Sequence, residues 1–168
     1  MPVSVRLEAL REEDLHALAR AETPERLGKV APGALPPAFV ARRSLSQLAD
    51  GKPLFWCATF LIRDSTDRVV GGCGFKDAPT DQRVEIGYAV APDHRKRGIA
   101  TEALSAMLDM ARASHEVTTV IARIDPDNIA SVRVVQKLGF TSVGLVHDED
   151  GDRLVEWLIH LASPTLEH

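Results

Sequence analysis

Asp93-His94-Arg95-Lys96-Arg97-Gly98-Ile99-Ala100-Thr101 joins an apolar strand, Val84 to Val90, to a long amphipathic helix that begins at Gly98. The first turn of a helix carries free N–H groups and a partial positive charge, so acidic side chains are expected there. Here Arg95, Lys96 and Arg97 stand together beside His94. Such a cluster is unfavourable by itself and favourable around a bound polyanion. Gly98 and Ala100 withhold side-chain bulk, which lets phosphate oxygens approach the amides of the turn. A solvated basic turn, with a glycine that eases packing, is the plainer alternative.

Other phosphate motifs are missing. The chain has no GxxxxGK[ST] loop. Gly71-Gly72-Cys73-Gly74 lacks the GxGxxG spacing and precedes no helix, so it reads as a bulge or close approach inside a strand. A GxSxG nucleophile elbow is also absent.

Outward from this turn, the periodicity gives a coherent order. Val3 to Leu10 alternates as a strand, and Glu12 to Ala21 reads as a helix. Pro24 to Pro37 is loop, and Pro37 to Ala49 is helical again. Leu54 to Arg63 and Val69 to Phe75 are strands joined by Asp64-Ser65-Thr66-Asp67. In the helix from Gly98 to Ala113, Ile99, Ala103, Met107 and Met110 form one ridge, with Ala100, Leu104, Leu108 and Ala111 beside it. Val117 to Ile124 is a β-branched strand, and Asn128 to Leu138 is a helix. Strands Thr141 to His147 and Arg153 to Leu161 flank Asp148-Glu149-Asp150-Gly151. The expected fold is α/β, with mostly antiparallel hairpins and one parallel crossover.

Length and composition set outer bounds. A chain of 168 residues with 45% hydrophobic and 26% charged residues suits one globular domain, taken as residues 1–165. Leu166-Glu167-His168 looks like the start of an expression tag. A net charge of −4 argues against nucleic acid and anionic membranes as partners. The most apolar run, Pro53 to Ile62, is far short of the roughly 18 residues of a membrane span. The first residues lack the basic start and apolar stretch of a signal peptide. Two cysteines without CxxC spacing suit a reducing cytoplasm, and six scattered histidines show no metal-ligand spacing.

Arg95-x-x-Gly98-x-Ala100 resembles the diphosphate-binding signature Q/R-x-x-G-x-G/A of the GNAT superfamily of N-acetyltransferases. Glu85-Ile86-Gly87-Tyr88-Ala89-Val90 looks like that family's fourth strand. Asn128 to Phe140 is similar to its N-x-x-S-x-x-V-x-x-K-L-G-F segment, which points to the branch acetylating N-terminal amines of ribosomal proteins.

The resemblance implies a twisted, mixed sheet with helices on both faces and a splay between strands 4 and 5, filled by the pantetheine arm of acetyl-CoA. Backbone groups near Tyr88 and Val90 would pair with that arm, and the Val90 N–H would polarise the thioester. Arg95, Lys96, Arg97, Gly98, Ile99, Ala100 and Thr101 would hold the diphosphate. Asn128 would lie by the pantetheine and Ser131 by the sulfur, with Ser131 a weak candidate for the acid that protonates the thiolate. Glu85 is the candidate general base. The bland readings stand beside these: a strand carboxylate for Glu85 and an N-cap for Asn128.

The implied function is acetyl transfer to an amine, with a protein or peptide N-terminal α-amine as the expected acceptor. Small amines or antibiotics, and a CoA-binding domain without turnover, remain open. A homodimer is neither required nor excluded. No metal is expected. The acidic hairpin Asp148, Glu149, Asp150 and Asp152 suits a cationic acceptor, although a solvated turn is the better account of any one of these residues.

Overall fold

The computed structural model describes residues 3–162, so the tag-like residues 166–168 lie outside the described residues. Seven strands form one sheet in the order β1-β2-β3-β4-β5-β7-β6. They are β1 (Arg6–Ala9), β2 (Phe60–Arg63), β3 (Val69–Phe75), β4 (Arg83–Val90), β5 (Thr119–Ile124), β6 (Thr141–His147) and β7 (Arg153–His160). Five α-helices accompany them: α1 (Glu12–Ala19), α2 (Ala38–Ala49), α3 (Leu54–Cys57), α4 (Ile99–Ser114) and α5 (Ile129–Lys137). Every neighbouring pair is antiparallel except β4 and β5, which the α4 crossover makes parallel. The α/β architecture and its single parallel pair match the expectation from periodicity.

One expected strand is wrong in its first half. Leu54 to Arg63 reads as a continuous apolar run, but only Phe60–Arg63 is extended. Pro53 caps a single helical turn, α3, that buries Trp56 and Cys57. Phe55, Trp56 and Phe75 pack with ring centroids 4.6–5.6 Å apart. This aromatic packing overrides a strand-like composition, since periodicity cannot distinguish a short buried helix from a buried strand.

The pleat divides the core. Phe60 and Ile62 of β2 join Cys73, Val84, Ile86 and Val90 beneath α4, while Leu61 turns to the other face with Leu15, Leu18 and Ala41 of α1 and α2. The two predicted α4 ridges are the buried ones: Ile99, Ala103, Leu104, Met107 and Ala111 are at most 4% exposed.

β4 and β5 pair only from Arg83↔Thr119 to Glu85↔Ile121. Beyond Glu85 the strands part, while β4 continues to Val90 along β3. A wedge therefore opens at their C-terminal ends, where ligands gather in parallel α/β units.

Candidate active site

The sheet register decides what faces the wedge. Lys76 N–H donates to the Glu85 carbonyl and Ala91 N–H to that of Val70, both at 2.8 Å. With the unbroken register from Gly71↔Val90 to Phe75↔Ile86, alternation assigns the backbone groups of Glu85, Gly87 and Ala89 to β3. Those of Tyr88 and Val90 consequently point toward the β5 side, where β5 has departed. The Val90 carbonyl accepts from Arg95 Nε at 3.0 Å. The Val90 N–H and both Tyr88 backbone groups are left with no strand to meet.

Arg95 thus does more than supply charge. One nitrogen fixes the end of β4, and its terminal guanidinium nitrogens remain for an anion. After the 3-10 turn Pro92–His94, Lys96 has φ 63° and Gly98 φ 81°. This left-handed geometry brings successive amides onto the concave side of the turn. Gly98 is the N-cap of α4 and no side chain caps it, so the first-turn amides of Ile99, Ala100 and Thr101 are open. Arg95, Lys96 and Arg97 are all exposed around them. The donor set fits a diphosphate. His94, beside this turn, has a buried Nδ1 without a hydrogen-bond partner among the described residues.

Across the wedge, Asn128 is the N-cap of α5 and its Oδ1 accepts from Ser131 N–H at 3.2 Å. The cap reading therefore holds, and it leaves the Asn128 amide nitrogen free to donate. Ser131 faces the β4 side. The Tyr88 hydroxyl is buried beside it, without a hydrogen-bond partner among the described residues. Burial pushes the Tyr88 phenol up, and the neighbouring Ser131 side chain partly offsets this. The structure thus brings the Ser131 side chain beside Tyr88, with Asn128 capping the helix that carries it.

Glu85 lies on the opposite face of β4, within a row of charges that runs from the end of β3 across β4, β5 and β7. Lys76 Nζ is 2.8 Å from Glu85 Oε2, Arg123 Nη1 is 3.2 Å from Glu85 Oε1, and Arg123 Nε is 3.6 Å from Glu156 Oε2. Both Glu85 oxygens are therefore engaged by cations, and its side chain is 20% exposed. An arriving ammonium must compete with them.

On that face the sheet is nearly bare. Gly72 stands opposite Ala89 and Gly74 opposite Gly87, giving a floor with a single methyl group. A Cβ on Gly72 would approach Thr59 Cγ2 to 3.0 Å, and one on Gly74 the Ala58 carbonyl to 3.2 Å. Close approach is the correct account of this glycine run, and no bulge interrupts its pairing with β4. Above the floor lies a cleft of about 460 Å³, walled by Pro37, Phe39, Val40 and Arg43 from the start and one face of α2.

Three participants escaped the sequence reading. Arg123 had a signal, since it is the one charged residue in the apolar strand Thr119–Ile124. Lys76 and Arg43 had none, because only the folded sheet brings them to the cleft. The acidic hairpin proves partly structural: Asp148 Oδ1 accepts from Asp150 and Asp152 N–H at 3.0 and 2.8 Å. Among the described residues, no group of three His, Cys, Asp or Glu is placed to hold a metal. No described helix is long and apolar enough to cross a membrane.

The chain belongs to the acetyltransferase (GNAT) domain family, which matches residues 4–141. It is 33% identical over 89 residues to the uncharacterised N-acetyltransferase p20 of Bacillus licheniformis, covering 52% of this chain and 50% of that protein. It is 32% identical over 81 residues to the uncharacterised N-acetyltransferase YjdG of Bacillus subtilis, covering 48% of each. These alignments thus cover about half the length of the curated relatives. The dodecameric spermidine N-acetyltransferase of Vibrio cholerae superposes with a TM-score of 0.67 over 94% of both chains at 15% identity, a likeness of fold.

Proposed function

We propose that the protein is an acetyl-CoA-dependent N-acetyltransferase acting on the α-amine of a peptide or protein N-terminus. The observation that carries the acetyl-transfer reading is the three unclaimed β4 backbone groups, both at Tyr88 and the Val90 N–H, ending beside the uncapped basic turn at Gly98. Acetyl-CoA supplies the activated acyl group. The amides of Ile99, Ala100 and Thr101, with Arg95, Lys96 and Arg97, hold its diphosphate. Tyr88 and Val90 backbone groups and the Asn128 amide orient its pantetheine arm.

The Val90 N–H donates to the thioester oxygen, where charge develops. The amine nitrogen bonds to the carbonyl carbon as the C–S bond breaks, and the thiolate leaves with the electron pair. Glu85, oriented by Lys76 and Arg123, receives the ammonium proton through water. Ser131, next to Tyr88, is a weak candidate to return a proton to sulfur, and a thiolate is a good leaving group without help. An α-amine, with a pKa near 8, requires less of such a base than a lysine amine near 10.4. The similarity of Asn128 to Phe140 to the N-terminal-amine branch favours the same acceptor. Two free, buried cysteines suit an intracellular, reducing setting.

The test is acetyl-CoA-dependent thiol release in a competition between peptides with free N-termini, N-terminally blocked lysine peptides, and small amines. Preferential turnover of the free N-termini is expected. Preference for the blocked peptides or the small amines overturns the acceptor, and CoA binding without any release overturns the transferase.

A further inference from the structure

We infer that the acceptor carries a carboxylate close to its reacting amine, recognised by Arg43 and Lys76 in the glycine-floored cleft beneath α2. This deepens the acetyltransferase reading and rests on it. The cleft adjoins the wedge through Gly87, Tyr88 and Ala89, so an amine entering the wedge lays its remaining atoms over that floor. Among the residues lining the cleft, the charged ones are Arg43 and Lys76, and none is acidic.

The acids nearby are already occupied. Glu85 is held by Lys76 and Arg123. Asp77, which feels the Arg43 charge, accepts from Lys52 Nζ at 2.5 Å and from Ala78 N–H at 2.7 Å. Arg43 itself is exposed and has no hydrogen bond or ion pair among the described residues. Arg43 thus stands on the apolar wall of the cleft that Lys76 also lines, and the acid that feels its charge, Asp77, is already held by Lys52. A polycation such as spermidine would bring two or more ammonium groups to this positive end, with no free carboxylate to receive them. A carboxylate offers Arg43 a two-pronged, charge-assisted partner. The bare floor limits the body between amine and carboxylate to what slides flat between α2 and the sheet, such as one extended residue.

Two sources present this chemistry: a free amino acid, and a peptide with an acidic side chain near its N-terminus. The experiment compares each acid with its amide. Free amino acids are set against amino-acid amides, and free-N-terminus peptides with Asp at the second position against those with Asn. Spermidine is included, and all are assayed with the wild type and with Arg43→Gln and Arg43→Glu. The wild type is expected to favour one acid series by about tenfold or more in kcat/KM, the usual size for a charge-assisted bond. Arg43→Gln raises KM for those acids while kcat holds, Arg43→Glu reverses the preference, and CoA affinity stays put in both.

Equal use of acids and amides, preference for spermidine, or an unchanged preference in Arg43→Gln overturns the inference. So does the absence of turnover for every acid. Free N-termini used without regard to charge would defeat this inference and keep the α-amine acceptor. A charge preference expressed on free amino acids with no turnover of any peptide would keep this inference and defeat the peptide acceptor.

Discussion

Arg123 Nη1 stands 3.2 Å from Glu85 Oε1, bridging β4 and β5 at Glu85, the last β4 residue paired with β5. The ion pair sits at the apex of the wedge. It also joins two roles in one carboxylate, since the group proposed to take the proton helps to hold the strands that frame the reaction. A pair of this partial exposure contributes modestly to stability, about 1 kcal/mol or less.

Glu85→Gln keeps the shape and one hydrogen-bond acceptor while removing the charge. Turnover is expected to fall about 100-fold, the low end for a general base, because the engaged carboxylate begins with competitors. CoA affinity and melting temperature should change little. A near-normal rate, measured by thiol release under saturating acceptor, returns Glu85 to a purely structural role.

Gly98 tests the diphosphate turn by two substitutions. A Cβ there meets only Val3 Cγ2, at 3.9 Å, so Gly98→Ala brings backbone strain at φ 81° rather than collision; the strain costs about 1 kcal/mol. Gly98→Glu adds bulk and negative charge where the anion approaches, and CoA binding by calorimetry should weaken about 100-fold or more relative to Gly98→Ala. Equal affinity in the two variants would move the diphosphate elsewhere.

Acid should loosen the α1 side first. Asp14 is 2% exposed, and burial alone would push its carboxyl up. The bonds from Arg26 and from the Arg11 N–H outweigh burial and hold it below the usual carboxylate range. Glu8, paired with Arg63 at 2.8 Å and also with Arg26, is lowered in the same way. A lowered folded pKa means stability that is full above the unfolded value, roughly 3.9 for Asp, and lost as pH falls through the folded value. Urea unfolding should therefore separate wild type from Asp14→Asn clearly at neutral pH and converge toward pH 2. A gap that persists undiminished at low pH assigns the loss to packing instead.

Cys73 should be chemically silent. Burial pushes its thiol up to about 12, and the thiolate is the nucleophile. Alkylation by iodoacetamide at neutral pH is expected only after denaturation, read by mass spectrometry; rapid native labelling at Cys73 would contradict the packing beneath α4.

Much of this arrangement was legible in the order of residues. Alternation fixes the strands from Val69 onward, and the spacing from Arg95 to Ala100 gives the basic turn before α4. Asn128 and Ser131 come together because an N-cap and the first helical turn hold them in local register. What depends on strand pairing was not legible. Glu85, Arg123 and Glu156 come from three strands and Lys76 stands just past β3, and only the register aligns them. Arg95 bonding the Val90 carbonyl is likewise a product of the turn's path. Leu54 to Cys57 failed for a different reason: its aromatic content is strand-like, and tertiary packing chose the helix.

The bare floor has a mechanical consequence. A Cβ at Gly87 would touch Lys76 Cε at 3.0 Å, the flexible stem of the lysine that holds Glu85. Shape and charge in this cleft are therefore geared together. One added methyl group under the acceptor would push the lysine stem by a few tenths of an ångström and with it the ammonium that contacts Glu85. A single-carbon change at this position alters how large a body fits and, in the same motion, how freely Glu85 meets a proton.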